Sequence, residues 1–100
     1  MQDPKDSDLS EVHAIEQENE VELWSIKNFK DSISVKHFFK IFFLNETIVG
    51  FIVARLIPHD CEILNIGVTK SVRKKQVASK LMDALIGECH NKDIKHIFLE

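Results

Sequence analysis

A chain of 100 residues, 44% of them hydrophobic and 29% charged, has the balance of one small folded domain rather than a disordered segment. Its formal net charge of -3 argues against a general nucleic-acid binder, which would carry a basic excess. The polar, acidic start "MQDPKDSD" is not a signal peptide, and no apolar run reaches the ~18 residues needed to span a membrane. The cysteines Cys61 and Cys89 have no metal-ligand spacing. A cytoplasmic protein with reduced thiols is therefore expected.

Residues 1–7 read as a disordered tail and 8–100 as the domain. From Asp8 or Ser10 the apolar residues Leu9, Val12 and Ile15 recur at helical spacing, with acids in the early turns that suit the positive end of the helix dipole. "WSIKNFKDSI" predicts a second short helix, capped by Ser25, with Ile26, Phe29 and Ile33 as its apolar stripe and Trp24 as a core anchor. The period then changes. "VKHFFKIFFL" is aromatic and β-branched, as a strand requires, and its Phe residues are expected in the core. After the turn "NET", "IVGFIVARLI" is almost continuously apolar, which predicts a strand covered on both faces. "PHD" turns the chain into a third strand, "EILNIGV", so residues 35–68 should form an antiparallel meander.

From Lys74 the helical period returns, with Val77, Leu81, Ala84, Leu85 and Cys89 on one face. "IKHIFL" follows as a fourth strand, and a strand–helix–strand unit places it parallel to "EILNIGV". The fold class is α/β, a mixed sheet of three antiparallel strands plus a β-α-β crossover. A chain stopping directly after a freshly placed strand is expected to lack the C-terminal part of its domain and to leave 94–99 as an apolar edge.

The acids cluster early, in "DSDLSEVHAIEQENEVE", whereas Lys70, Arg73, Lys74, Lys75 and Lys80 crowd the start of the third helix. Such a run is either a solvated charged face or an anion site. A strand feeding a short loop into a helix start favours the second, because the first helical N–H groups lack partners and the dipole attracts negative charge. The five histidines are scattered, and Cys89-His90 reads as a helix end rather than a nucleophile pair.

"NIGVTKSVRKKQVASKLM" resembles motif A of the Gcn5-related N-acetyltransferases: Gln or Arg, two residues, Gly, one residue, then Gly or Ala. Arg73 stands at the first position and Ala78 at the last, with Gln76 in the place of the central Gly and Lys74 where another Gly is frequent. Upstream, "HAIEQENEVELWSIKNF" followed by "EILNIGV" is similar to the bacterial ribosomal-protein-alanine N-acetyltransferases. There an "IEQ" helix, a Trp-Ser pair and an "LFNIAV"-like strand come in the same order. The resemblance implies the acyl-CoA N-acyltransferase (GNAT) fold, acetyl-CoA as co-substrate, and a protein N-terminus as acceptor, in particular that of a ribosomal protein like S18. It also assigns roles. The backbone of Ile66, Gly67 and Val68 would pair with the pantetheine arm and receive the thioester carbonyl. With Arg73 opening the motif, a loop of Lys74, Lys75, Gln76, Val77, Ala78 and Ser79 would cradle the pyrophosphate, and Gln76→Gly would tighten binding by clearing its approach. Glu100 would be the general base. The asparagine and tyrosine of the family pattern fall beyond residue 100, so no measurable transfer is expected from residues 1–100 alone. The rival reading is a non-catalytic remnant with at most weak anion binding, and a small nucleic-acid-binding domain is the third.

Overall fold

Seven of the eleven residues in the strand Thr47–Ile57 are buried in an unbroken run, so this strand must be covered on both faces. A computed structural model describes residues 1–18 and 23–99 and shows how. Helices α1 (Leu9–Glu16) and α2 (Ile26–Ser34) are followed by strands β1 (Phe38–Leu44), β2 (Thr47–Ile57) and β3 (Asp60–Val68), helix α3 (Lys74–Asn91) and strand β4 (His96–Leu99). The sheet order is β1-β2-β3-β4, antiparallel throughout except for the parallel β3–β4 pair. These are the predicted elements in the predicted arrangement. The first strand begins at Phe38 rather than near residue 35, because Val35 caps α2 and Lys36 takes a positive φ of 60°.

Each face of the sheet has its own core. Val77, Leu81, Leu85 and Cys89 of α3 pack on Ile52, Ala54, Cys61, Ile63 and Val68. On the opposite face, Leu9, Val12 and Ile15 of α1 and Phe29 of α2 pack on Phe39, Ile41, Phe51 and Val53. Gly50 lets α3 lie close, since a Cβ there would stand 2.8 Å from Val77 Cγ1. Ser25 caps α2 as the sequence predicts: its Oγ accepts from the Asn28 N–H at 3.2 Å, and Asn28 Oδ1 accepts from the Ser25 N–H at 2.9 Å. Trp24 is half-buried against Phe29, with ring centroids 5.1 Å apart. Ile26, expected on the apolar stripe, is 38% exposed instead, since it occupies the first helical position, away from the face that Phe29 buries.

Two bulges reset the strands. Phe42 faces Gly50 but Phe43 faces Ile48, leaving Val49 as the extra residue in β2. Val53 faces Asn65 but Ala54 faces Ile63, leaving Leu64 as the extra residue in β3. The second bulge matters for the site. It turns Leu64 to the α1–α2 face and brings Ile66 and Val68 round to the α3 face with Ile63.

The first seven residues differ from the disordered tail expected. The Gln2 N–H donates to the Ile41 carbonyl at 3.0 Å, and the Ile41 N–H donates back at 2.8 Å. Asp3 pairs with Lys40. β1 is an edge strand whose free backbone groups recruit the N-terminus. At the other edge all four β4 residues are exposed, Leu99 to 71%.

Two groups make the fold acid-sensitive. Burial, reinforced by the Arg55 charge, holds His37 below its ordinary pKa of 6.5, and its Nδ1 lies 3.2 Å from Ser32 Oγ. Glu18 is held below 4.5, chiefly by a backbone hydrogen bond from Lys70. In both cases the unfolded chain takes up the proton first, so stability falls as pH drops, below 6.5 for His37 and then below 4.5 for Glu18. Urea midpoints should therefore decrease from pH 7.5 to pH 5, and His37→Asn should flatten that decrease. A midpoint that rises on acidification would contradict the assignment.

Candidate functional site

β3 is paired unequally on its two sides. Toward β2 its ladder runs the full length, from Asp60 opposite Ile57 to Val68 opposite Gly50. Toward β4 it pairs only from Asp60 to Ile63, opposite His96 to Leu99. Past the Leu64 bulge, the backbone from Leu64 to Val68 has no ladder partner on that side among the described residues. A free edge of this kind takes up an extended, amide-bearing chain by backbone pairing.

The free edge leads into an uncapped helix. The Thr69 N–H still donates to the Val49 carbonyl at 2.9 Å, and the chain then turns, with the Val72 N–H reaching the Thr69 carbonyl at 3.4 Å. Arg73 is the N-cap of α3 and offers no side-chain acceptor. The Val77 N–H donates to the Arg73 carbonyl at 3.3 Å. The N–H groups of Lys74, Lys75 and Gln76 precede that bond and have no intrahelical acceptor. No acidic residue lies in the first turn of α3, so the helix's own first turn does not offset the positive end of its dipole. Lys70, Arg73, Lys74, Lys75 and Lys80 are all exposed around it.

Edge and helix start enclose a groove of about 270 Å³ lined by Ile66, Gly67, Val68, Lys74, Lys75 and Ala78. Its floor is apolar strand and its rim is cationic. All six residues belong to the set singled out from the sequence. The other members stand elsewhere. Residues 74–79, a loop by the family resemblance but helical by the period that returns at Lys74, are the first turns of α3, as the period predicts, and the loop is the stretch 69–73. Val77 faces the core and is 6% exposed, and its N–H is taken by the Arg73 carbonyl. Arg73 and Gln76 look into a neighbouring hollow beside Phe42, Leu44 and Val49. Ser79 borders another, with Lys75, Gln76, Lys80 and Asp83. Gln76 does not line the groove, so its side chain does not fill the space a glycine would have left there. Glu100 lies outside the described residues.

Two glutamates that the sequence reading passed over hold the site from the end of α1 and the turn after it. Glu16, 2% exposed, accepts from the Trp24 N–H at 2.8 Å and from Asn65 Nδ2 at 3.0 Å. Glu18 accepts from Thr69 Oγ1 at 2.7 Å and from the Lys70 N–H at 2.8 Å. Both sit in a stretch of acids that looks uniformly solvated, and their partners on β3 and the loop after it are 49 to 52 residues away. Cys61 and Cys89 are free and buried, and burial pushes the Cys61 thiol up to about 12, so it is no nucleophile. No helix among the described residues is long and apolar enough to cross a membrane.

Known structures share this frame. The ribosomal-protein-S18-alanine N-acetyltransferase of Escherichia coli superposes with a TM-score of 0.86 at 19% identity, over 98% of this chain and 63% of that one. Ard1 from Thermoplasma volcanium gives 0.82 at 24% identity, over 93% of this chain and 64% of that one. Arabidopsis thaliana Naa50, in complex with the bisubstrate analogue CoA-Ac-MVNAL, gives 0.80 at 21% identity, over 98% and 68%. The chain thus spans under two thirds of the length of the first two. No curated protein matches it by sequence. Residues 7–100 match the profile described as Acetyltransferase (GNAT) family. With that match covering nearly the whole chain and the mixed sheet, bulged β3 and helix start in place, the chain belongs to the acetyltransferase (GNAT) family.

Proposed function

We propose that this chain binds acetyl-CoA in the groove between the free edge of β3 and the head of α3, and serves an acetyl transfer to the α-amine of a protein N-terminus, with a ribosomal protein as the favoured substrate. The single observation that carries this reading is the meeting of an unpaired strand edge with an uncapped, cation-rimmed helix start. The donor set suits the ligand. A pyrophosphate needs several N–H donors and positive charge, and the first turn of α3 offers both. A pantetheine arm needs an extended backbone partner, which Ile66, Gly67 and Val68 can be.

Acetyl-CoA would supply the acyl group as a thioester. The chain's part is to bind, to orient and to move a proton. The charges of Arg73, Lys74 and Lys75 would hold the phosphates together with the free N–H groups of Lys74, Lys75 and Gln76, while Val77, Ala78 and Ser79, whose N–H groups belong to the helical ladder, would carry that first turn. The strand backbone would align the acyl carbon and polarise its carbonyl. Glu100 follows Leu99, which pairs with Ile63, and would accept the proton that the attacking amine must lose. Two neighbours support the acceptor class: one is named for alanine of ribosomal protein S18, and another is complexed with a conjugate of CoA and a peptide.

Calorimetry tests the reading without requiring turnover. CoA should bind in the micromolar range, about -8 kcal/mol. A conjugate linking CoA through an acetyl group to the α-amine of an alanyl peptide should bind at least about tenfold tighter, because it occupies both sites at once. Absence of CoA binding at millimolar concentration would overturn the proposal. Equal affinity for CoA and the conjugate would remove the protein N-terminus as acceptor.

A further inference from the structure

The loop 69–73 decides where the phosphate-facing donors point, because it delivers the chain from β3 into the first turn of α3. Inside it, Lys70, Ser71 and Arg73 are exposed and have no packing to fix them. Its anchors are the bond from the Thr69 N–H to β2, the packing of Val72 on the core under α3, and a third from just past α1. Glu18 stands two residues past the end of that helix and spans two successive donors with its two oxygens, Oε2 on the Thr69 hydroxyl and Oε1 on the Lys70 N–H.

A carboxylate is an odd choice at this place. Its charge lies beside a helix start that attracts anions, and Lys70 and Lys74 both act on it electrostatically. By Coulomb's law alone it should repel a bound pyrophosphate. Its presence is explained if fixing the loop matters more than the repulsion. Two charge-assisted hydrogen bonds to one carboxylate hold two residues of the loop at once, and ordering a loop in advance removes that cost from binding.

We infer that Glu18 is a positioning residue for acyl-CoA binding, acting through Thr69 and Lys70 to preset the loop that opens α3. The inference rests on the groove being the CoA site, and it adds a coupling: the segment that follows α1 and the phosphate loop are held by one side chain.

The sign of the effect separates positioning from simple charge. If Glu18 acts only through its field, Glu18→Gln and Glu18→Ala both tighten CoA binding, and salt erases the gain. If Glu18 positions the loop, Glu18→Ala weakens binding by about tenfold, the scale of losing a charge-assisted hydrogen bond. Glu18→Gln, which keeps an acceptor, then recovers part of the loss, and the difference persists at 0.5 M salt. Affinities would be read by calorimetry, with hydrogen exchange of the Lys70 amide followed in the ligand-free chain. That amide should exchange faster in Glu18→Ala, and the melting temperature should fall only by the modest amount that the two lost bonds supply, with the unfolding transition still cooperative. If the alanine variant does not fold, the glutamine variant decides by the same sign. Tighter binding in the variants, or unchanged affinity with the Lys70 amide still protected, overturns the inference and leaves the groove assignment standing. A parent chain that fails to bind CoA overturns both.

Discussion

Lys74→Glu combined with Lys75→Glu should weaken CoA binding by about two orders of magnitude, close to 3 kcal/mol, while the melting temperature holds or rises slightly. The opposed directions make the result informative. Both lysines are exposed and line the groove, so neither contributes to a core. They sit at the first two positions of α3, whose first turn holds no acid. Acids there favour the helix dipole by about 0.3–1 kcal/mol each, and reversal also relieves the crowding of Lys70, Arg73, Lys74 and Lys75. A ligand carrying several phosphate charges meets the opposite situation, with two attractions turned into repulsions at the helix start. The parent affinity should fall with added salt and the variant's should not. Lys30→Glu, half that change of charge on exposed α2, is the control and should leave CoA affinity within about twofold. Parent-like affinity in the double variant would take the phosphates away from α3. A lowered melting temperature would mean that the lysines serve the fold.

The elements were legible because their periods were strong. β2 shows as a strand from its unbroken apolar run, α2 from Ser25 and Phe29, and α3 from Val77, Leu81, Leu85 and Cys89. The head of α3 was legible as an anion site from its basic residues and the strand before it. What a motif letter could not convey was the conformation at that head. A pattern written around glycine suggests a loop over 74–79, while the helical period that begins at Lys74 marks the same residues as helix, and lysine, glutamine, valine, alanine and serine all sustain one. The glycine pattern also marks Gln76 as an obstruction, whereas in the fold its side chain turns to the hollow beside Phe42 and Leu44. Gln76→Gly therefore gains less room than the pattern implies, and it carries a helix cost of about 1 kcal/mol.

The parts that were not legible are those in which parity or distance is hidden. Leu64 bulges from β3, but apolar residues on both sides of the strand erase the alternation that would reveal it. That bulge brings Ile66 and Val68 to the α3 face, so the shape of the groove depends on a residue no pattern flags. Glu16 and Glu18 look like two more charges among many. Their roles arise only when α1 meets the end of β3, a contact between segments about fifty residues apart in the chain. Gln2 is similar, since the edge of β1 that captures it exists only after folding.

The largest effect on stability should come from Phe51, and it reaches the site through one glycine. Phe51 is fully buried at the middle of β2 and meets Phe29 edge-on at 5.3 Å. Across the ladder it faces Gly67, a groove residue. Phe51→Ala should cost about 3–5 kcal/mol. Against a total of roughly 5–15 kcal/mol for a domain of this size, that is enough to leave much of the chain unfolded at 37 °C, and Phe51→Leu should be milder. Gly67 has no positive φ to protect; its constraint is space, since a Cβ there would stand 2.5 Å from Phe51 Cε2. Gly67→Ala alone should therefore cost about 1–3 kcal/mol by overpacking, as the ring is held by Phe29 and cannot retreat freely. In the Phe51→Leu background the same alanine meets a shorter side chain and should cost less than about 0.5 kcal/mol. The coupling of about 1–2 kcal/mol is the signature of direct contact, read from denaturant midpoints of the four chains. Additive costs would show that Gly67 answers to something other than the ring, and the link from the aromatic core to the strand edge of the groove would be lost.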